Sequence, residues 1–445
     1  MKCYDSGILP DYFNVASDKE ANSDKLAIIS RTNHNISRKS ISESALKVLY
    51  RLSNSGFRAC LVGGGVRDLL LGLQPKDFDV ATDATPEELR SLFRNSRIIG
   101  RRFRLVHIRF GREIIEVATF RSHSSDSPKT ELNTEGRILR DNTFGDIEDD
   151  AIRRDFTVNA LYYDIANFSV LDYTNGLEDL ETRTLRLIGD AETRYQEDPV
   201  RMLRAIRFAA KLDFEIERHS AEAIFACGPL LADIPPARLF DETVKLFHSG
   251  NATRVLELLR HYQLLQYLFP ALDELLGLEP DEAMLDFVDQ GLVNTDIRIN
   301  INQHVSPAFI FAILLWPAVH QQAMNLQSSK LKIVPALFQA GSSVMSRQLK
   351  HISIPRRFSQ MTRDIWTAQP KFQRTQGKQP ARLFAQPCFR AAYDFMCIQS
   401  MVSLVPGNLC QWWTEYQQQH QPPTNTKSQQ RDPGNYRRRR RRNAG

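Results

Sequence analysis

The chain has 445 residues and is 25% charged and 42% hydrophobic, the composition of a globular protein with two to four packed units. Its net charge of +6 is concentrated at one end: residues 419–445 hold eight basic residues and one acidic residue, whereas residues 1–418 sum to −1. The longest apolar run, residues 308–316, is too short to span a bilayer. The six cysteines are scattered and form no CxxC pair, which favours reduced thiols in a cytosolic protein over a disulfide framework or a zinc site.

The N-terminal part of the chain is polar until an amphipathic stretch begins. Residues 1–38 are rich in Asn, Ser and Asp, and we predict that they are flexible. Residues 41–54 carry apolar side chains at helical spacing. Ser40, with Glu43 three residues later, predicts a capping box at the start of this helix.

A glycine-rich turn connects the next two predicted elements. Residues 57–62 form a short β-like run that leads into Gly63-Gly64-Gly65, and residues 66–71 have helical spacing. A glycine turn between a strand and a helix lets backbone N–H groups approach a phosphate, although it is more often a simple tight turn. The pattern is neither a Rossmann fingerprint nor a P-loop, because the third glycine and the Gly-Lys-Ser/Thr sequence are missing.

A second strand carries two aspartates. Residues 77–82 have β character, and Asp77 and Asp79 stand two positions apart, so their carboxylates project from the same face. Two neighbouring carboxylates repel each other unless a cation neutralises them, and Mg²⁺ prefers such oxygen ligands. A pair of ions could activate a 3′-hydroxyl and stabilise a departing pyrophosphate. Taken alone, the same pair is more often a solvated strand face.

The following elements complete a small sheet and then give way to helices. Thr85 predicts the cap of a helix, and residues 105–110 and 113–120 alternate as two strands joined by a turn at Gly111. Beyond about residue 175 the periodicity is helical. We predict five segments, over residues 1–38, 39–174, 175–248, 249–418 and 419–445. The first is polar and flexible, the second mixes strands and helices, the next two are helical, and the last is disordered.

Five ordered segments identify the chain as similar to a known family. They read LVGGGVRD, KDFDV, EVATFR, RRDFTVNA and EDPVRMLRAIRFAA, at residues 61–68, 76–80, 116–121, 153–160 and 197–210. Together they resemble the class II tRNA nucleotidyltransferases and bacterial poly(A) polymerases. The resemblance implies an α+β fold, with a polymerase-beta-like head on a small mixed sheet followed by an all-helical C-terminal part. It also implies that residues 39–174 are the catalytic head, that residues 175–248 are a neck with nucleotide-base recognition, and that residues 249–418 are a body and leg that bind RNA.

The resemblance also implies roles for individual residues. Asp77 and Asp79 would hold two Mg²⁺ ions, with Mn²⁺ as the alternative metal, and Asp155 would be the third catalytic carboxylate. Glu116, on the strand predicted to lie beside that of the aspartates, is the alternative for this third position, and an ion pair with Arg121 is its structural explanation. ATP would be bound by the residues Gly64, Gly65, Arg67, Arg154, Asp198 and Arg201, the last two pairing with the edge of the base.

A basic stretch favours one branch of this family. Residues 99–108 read IGRRFRLVHI, which resembles the signature of bacterial poly(A) polymerases. Its Arg101, Arg102 and Arg104 would lie beside the sheet and bind the RNA backbone or, alternatively, the triphosphate. The tail residues Arg437, Arg438 and Arg439 would also bind RNA. A solvated strand edge is the alternative explanation for the first three.

We therefore expect template-independent transfer of AMP from ATP to RNA 3′ ends. The resemblance implies that this tailing promotes RNA decay and that RNA-decay proteins are partners, and a monomer is the default expectation. One rival function is CCA addition to tRNA, because the same segments occur in both branches. The other is an RNA-binding adaptor without activity, against which the intact Asp77 and Asp79 speak.

Overall fold

The computed structural model describes residues 26–100, 104–122, 144–277 and 281–420, and the backbone of residues 130–132 and 138–141. The chain divides into two compact units, Met1–Leu268 and Phe269–Gly445. The first unit combines a sheet with helices, and the second is helical throughout its described part. The predicted fold class, an α+β head followed by a helical C-terminal part, is confirmed.

The strands all belong to the first unit. They are β1 (Ala27–Ile29), β2 (Ala59–Val62), β3 (Asp79–Thr82), β4 (Ser96–Ile99), β5 (Leu105–Phe110), β6 (Glu113–Thr119), β7 (Thr130–Leu132), β8 (Ile138–Asp141), β9 (Leu161–Asp164), β10 (Val170–Asp172), β11 (Thr184–Leu185) and β12 (Glu215–Ile216).

The helices of the first unit lie around this sheet and continue beyond it. They are α1 (Glu43–Asn54), α2 (Gly64–Leu70), α3 (Pro86–Leu92), α4 (Ile147–Arg153), α5 (Gly176–Glu181), α6 (Ala191–Glu197), α7 (Val200–Leu212), α8 (Arg218–Cys227), α9 (Pro236–Phe247), α10 (Ala252–His261) and α11 (Leu265–Leu268). Short 3₁₀ helices occur at Arg31–Asn33, Arg38–Ser40, Thr157–Asn159 and Gly228–Asp233.

An eight-stranded sheet organises the first unit, in the order β1-β10-β9-β2-β3-β6-β5-β4. Its neighbours are antiparallel except β3 and β6, which run parallel with Asp79 opposite Glu116. The predicted turn at Gly111 joins β5 and β6, and Gly111 has a φ of +60°. One helix that covers the sheet is α1, whose buried side chains Ala45, Val48, Leu49 and Leu52 recur at helical spacing.

Of the two helix caps predicted from the sequence, one is present and the other lies two residues further along the chain. Thr85 forms a full capping box with Glu88 at the start of α3. The predicted box of Ser40 and Glu43 is wrong, because Ser42 caps α1 by accepting a hydrogen bond from Ala45 N. Ser40 instead ends the preceding 3₁₀ helix.

The predicted flexible N-terminus is wrong for its last part. Residues 27–29 form strand β1, which pairs with β10 at the edge of the sheet. His34 Nε2 lies 2.8 Å from the carbonyl oxygen of Phe168, and Ile36 is buried. Polar composition therefore concealed an edge strand whose partner lies about 140 positions further along the chain. Residues 1–25 lie outside the described residues.

The second unit is built around one long buried helix. Its helices are α12 (Pro270–Gly277), α13 (Glu282–Asn300), α14 (Pro307–Ser328), α15 (Ile333–Gln348), α16 (Arg356–Phe372), α17 (Gln379–Phe384), α18 (Phe389–Met401) and α19 (Gly407–Gln419). Helix α14 is buried from Ala308 to Pro317, and it continues through that proline to Ser328. Among the residues that the structure describes, no helix has the length and apolar character needed to cross a membrane.

A disulfide joins the last two helices of the second unit. Cys397 in α18 is bonded to Cys410 in α19, thirteen positions later. The prediction that all the cysteines are free thiols is therefore wrong for these two. The spacing gave no CxxC signal, because the pairing depends on two helices folding back on each other. Cys60, Cys227 and Cys388 are free and buried.

Candidate active site

The glycine turn packs directly against the segment that carries the aspartates. Gly63, with a φ of +73°, lies between β2 and α2. A Cβ on Gly65 would lie 3.5 Å from the carbonyl oxygen of Asp77 and 3.6 Å from the Phe78 ring. The turn therefore lies against the Asp77–Asp79 segment, where a Cβ at Gly65 would make ordinary van der Waals contacts. The positive φ of Gly63 is the feature that favours glycine, because residues with a side chain rarely adopt it.

Two carboxylates are brought together by the parallel pairing of β3 with β6. Asp79, at the first position of β3, lies opposite Glu116. Exposure alternates from Asp77 to Val80, as expected if Asp77 and Asp79 share one face. Glu116 also has a hydrogen bond with His107 of β5, with 3.0 Å between Oε1 and Nε2. The arrangement places Glu116 beside the second aspartate.

The electrostatics of this group favour a cation. Loss of hydration and the neighbouring Glu116 carboxylate raise the pKa of Asp79 to about 6, while Arg154 opposes the shift. A hard divalent cation would relieve this repulsion. No set of three His, Cys, Asp or Glu side chains among the described residues is already arranged as metal ligands. The carboxylates would therefore have to adjust when a metal binds.

Asp155, the predicted third carboxylate, is engaged by an arginine. Its Oδ2 accepts hydrogen bonds from both Nε (2.8 Å) and Nη2 of Arg204, and its Oδ1 accepts from the backbone N of Phe156 (2.9 Å). Burial opposes ionisation of Asp155, but Arg204 and the hydrogen bonds from Phe156 and Asn159 together outweigh it, so the pKa of Asp155 is lowered. Asp155 thus has the surroundings of a carboxylate that positions an arginine.

Two of the three arginines predicted to bind nucleotide, Arg154 and Arg67, are also held by carboxylates. Arg154 donates to Asp150 Oδ2 (2.8 Å from Nη2) and to the hydroxyl of Tyr162 (2.8 Å from Nε). Arg67 is only 2% exposed and donates to Asp68 and to Asn159. Arg154 keeps an exposed fraction of 23%. Of the two, Arg154 is the one still accessible to a ligand.

The predicted base-recognition pair lies between α6 and α7. Asp198 follows the last residue of α6, and Arg201 lies in the first turn of α7. Arg201 Nη1 donates to Glu197 (2.8 Å) and to the carbonyl of Arg194 (2.6 Å). Asp198 Oδ2 accepts from Arg238 Nη2 at 2.8 Å. Asp198 Oδ1 is buried and accepts no hydrogen bond from any residue that the structure describes.

One cavity of about 400 Å³ brings most of these side chains together. The predicted residues on its wall are Asp79, Glu116, Arg154, Asp155, Asp198 and Arg201. The predicted residues that are not on the wall are Asp77, Gly64, Gly65, Arg67 and Arg104. Arg104 forms an ion pair with Glu87 (2.5 Å). The other predicted RNA-binding residues, Arg101, Arg102, Arg437, Arg438 and Arg439, lie outside the described residues.

Sequence reasoning missed several charged residues of the wall. Arg204 and Arg238 hold Asp155 and Asp198, and Asp150 holds Arg154. Two of these could have been found, because Asp150 is four positions before Arg154 and Arg204 is one helical turn after Arg201. Arg238 carried no signal, since it comes from α9, 40 positions beyond its partner.

Comparison with known proteins gives matches across nearly the whole chain. Residues 59–186 match the "Poly A polymerase head domain". Residues 213–276 match the "Probable RNA and SrmB- binding site of polymerase A", and residues 329–444 match the "Polymerase A arginine-rich C-terminus".

Individual relatives separate the two branches that the sequence segments share. Poly(A) polymerase I of Salmonella typhi is 50% identical over 399 residues, which cover 88% of this chain and 86% of that protein. The CCA-adding enzyme of Bacillus pumilus is 35% identical over 243 residues, covering 55% of this chain and 57% of that protein. The Bacillus stearothermophilus CCA-adding enzyme in complex with CTP superposes with a TM-score of 0.57 at 26% identity, covering 83% of this chain and 80% of that one.

Proposed function

The chain belongs to the poly(A) polymerase I family, and from this premise we propose which of its residues carry out the reaction. It is a template-independent polynucleotide adenylyltransferase, which adds AMP from ATP to RNA 3′ ends with release of pyrophosphate. CCA addition is the activity of more distant relatives. In our proposal the reaction takes place in the cavity lined by Asp79, Glu116 and Asp198.

The proposed metal-binding group is Asp77, Asp79 and Glu116. The observation that carries it is the strand register that places Glu116 opposite Asp79. Two divalent ions held there, Mg²⁺ or Mn²⁺, would activate the RNA 3′-hydroxyl and stabilise the pyrophosphate that leaves. We prefer Glu116 to Asp155 as the third carboxylate, because both Asp155 oxygens already accept hydrogen bonds from protein groups.

The proposed ATP site combines backbone and side-chain donors. Gly64 and Gly65 would offer N–H groups to the triphosphate, and Arg154 would lie near it. We propose that Arg67 supports this turn from beneath, because its guanidinium is buried against Asp68 and Asn159.

The base would be read by Asp198 and Arg201. Asp198 Oδ1 has no described protein donor, so it is available for the exocyclic amine of adenine, while Arg201 can donate to a ring nitrogen. Cytosine offers a similar amine and acceptor. The pair therefore needs a fixed position in the cavity to favour ATP, and Arg238 supplies one contact that fixes Asp198.

The proposal also includes the residues that contact RNA and the cellular role of the enzyme. Arg104, Arg101 and Arg102 beside the sheet and Arg437, Arg438 and Arg439 in the tail would contact RNA phosphates. We include a cytoplasmic location, a monomeric enzyme, RNA-decay proteins as partners, and promotion of RNA decay by the added tail.

An extension assay with each NTP separately tests the proposal. The protein with Mg²⁺ and a short RNA should build a long A tract from ATP and add little from CTP, GTP or UTP. Asp77→Ala should lower the rate by about 10³-fold or more, because the metals stabilise charge that develops in the transition state, while RNA binding stays nearly intact.

Two results would count against it. Strong CTP incorporation that stops after two residues would indicate CCA addition. Full activity of Asp77→Ala would overturn the assignment of the metal ligands. Glu113→Gln, an exposed residue three positions before Glu116 on β6, is the matched control and should retain wild-type activity.

A further inference from the structure

The second unit is strongly polarised in charge along its sequence. Residues 269–329 contain eight acidic residues and one basic residue, a net charge of −7. Residues 330–390 contain twelve basic residues and one acidic residue, Asp364, a net charge of +11. Because these blocks largely cancel, the net charge of the chain conceals a basic surface that is separate from the arginine tail.

Six of these cations lie in α16, in the segment that connects it to α17, and in α17, and we refer to them as the basic face. They are Arg356, Arg363, Lys371, Arg374, Lys378 and Arg382. Positions 356, 363 and 371 lie on the same side of α16, since seven residues make about two turns, and Arg374 follows the last residue of this helix by two positions. The opposite side of α16 is buried, with Thr362, Ile365 and Trp366 in the core. Core packing thus fixes this helix with its cations turned outward.

These cations lack acidic partners. Within residues 281–420, none of the six forms an ion pair, and Arg363 has only a 3.3 Å hydrogen bond to Gln360. Other arginines of the same unit are paired: Arg298 contacts Asp394 at 2.7 Å, and Arg347 contacts Glu274. Asp364 accepts from Gln360 (2.9 Å) and neutralises none of the six. The uncompensated charge is therefore available to an external anion.

The shape and composition of the basic face fit an extended polyanion. Along α16 the cations extend over about 24 Å, which exceeds the size of a single phosphate or carboxylate. Every exposed large hydrophobic side chain that the structure describes in the second unit lies outside residues 356–390. A protein partner normally requires an apolar interface core, whereas binding to a phosphate backbone does not.

We propose that the basic face binds the phosphate backbone of the RNA substrate upstream of its 3′ end, as a contact separate from the tail. This inference rests on the proposed function only in taking RNA as the polymer. Arginine and lysine without base-reading or stacking groups contact phosphates without regard to sequence, which suits an enzyme that tails many RNAs. The basic face would raise the affinity for RNA and leave the chemical step unchanged.

The test is a full-length triple variant with Arg363→Gln, Lys371→Gln and Arg374→Gln. Its affinity for a fluorescent 25-nucleotide oligo(A) is measured by anisotropy over a range of NaCl concentrations. Three lost phosphate contacts should reduce the slope of log K against log[NaCl] by about 2, and affinity at low salt should fall roughly tenfold or more. At saturating RNA, kcat for adenylation should match wild type, with the effect confined to KM for RNA.

Two control variants separate this effect from loss of folding or of total charge. Lys39→Gln, Lys47→Gln and Arg218→Gln remove three exposed charges elsewhere and should leave the slope nearly unchanged. A charge-preserving triple, Arg363→Lys, Lys371→Arg and Arg374→Lys, should restore affinity. Thermal unfolding of every variant identifies any that is destabilised.

The outcomes distinguish this inference from the proposed function. An active protein whose face variant keeps the wild-type salt slope and KM would overturn the inference alone. The same holds if the face variant instead loses affinity for polyglutamate, which would indicate an acidic protein partner. Absence of AMP incorporation by the unmodified chain would overturn the proposed function, and the anisotropy measurement would still report on the basic face.

Discussion

The arginines of the catalytic cavity and those of the basic face differ in one respect, the presence of carboxylate partners. In the cavity, Arg154, Arg204 and Arg238 donate to Asp150, Asp155 and Asp198. On the basic face, Arg363 and its neighbours have no such partner among the described residues. An ion pair fixes a guanidinium in place but cancels its charge at a distance, whereas an unpaired one keeps its long-range attraction. The cavity arginines are therefore suited to contact a ligand at fixed positions, whereas the arginines of the basic face are suited to attract an anion from a distance.

Substitution of the two candidates for the third carboxylate, Glu116 and Asp155, should have the largest effects. Glu116→Gln should lower kcat by about 10²- to 10³-fold without lowering thermal stability, because Glu116 has little structural role beyond its bond to His107. Asp155→Ala should instead destabilise the fold by about 1–3 kcal/mol, since it leaves Arg204, which is 38% exposed, without its partner. Single-turnover rates and urea unfolding measure the two quantities.

The opposite pattern would reverse the assignment. If Asp155→Ala abolished the chemical step at unchanged stability while Glu116→Gln stayed active, Asp155 would be the metal ligand. The cavity would then be built from catalytic rather than positioning carboxylates.

An intermediate effect is expected at the arginine that holds the base-reading carboxylate. Arg238→Ala should lower kcat/KM for ATP roughly tenfold, because Asp198 loses a charge-assisted hydrogen bond and can rotate. The loss for CTP should be smaller, so discrimination between the two nucleotides narrows. Arg218→Ala removes a comparable but exposed ion pair with Glu222 and should change neither value. Equal losses for ATP and CTP would mean that Arg238 only stabilises the fold.

The smallest effect is a pH dependence of metal binding. With the pKa of Asp79 raised to about 6, protons compete with the cation, so Mn²⁺ should bind about fourfold more weakly at pH 5.5 than at pH 7.5. In the metal-free protein the contribution of Asp79 to the unfolding free energy should fall as pH rises from about 4 to about 6, because the folded chain retains a proton that the unfolded chain releases near 3.8. Mn²⁺ titration followed by magnetic resonance measures the affinity. Urea unfolding of the metal-free wild type and of Asp79→Asn at pH 4 and pH 6 measures the contribution of Asp79, which the variant should lack.

Features determined by neighbouring residues were predictable from the sequence. The turn at Gly63, the hairpin at Gly111 and the cap at Thr85 all follow from the residues immediately around them. The choice between Asp155 and Glu116 did not follow, because the register of β3 and β6 joins positions 37 residues apart. Strand β1 was missed for the same reason, since its pairing with β10 is non-local.

Predictions based on totals, such as net charge and the number of cysteines, also differed from the structure. The net charge of −1 for residues 1–418 suggested that only the tail was basic, whereas the second unit contains both a strongly acidic and a strongly basic block. Likewise, the cysteine count could not identify Cys397 and Cys410 as partners, because their contact depends on how α18 and α19 pack. In both cases a total does not show where the individual residues lie, and their positions determine the charged surface and the disulfide.

The parallel pairing of β3 with β6 also determines which changes in chain length the enzyme can accept. An extra residue in the turn at Gly111 lengthens a surface loop and leaves Glu116 opposite Asp79. An extra residue between Glu113 and Glu116 shifts the strand by one position and turns the glutamate to the other face of the sheet. Insertions only a few positions apart thus differ in whether they preserve the pairing of Glu116 with Asp79. The loop at the hairpin can vary in length, whereas the number of residues in β6 must stay the same.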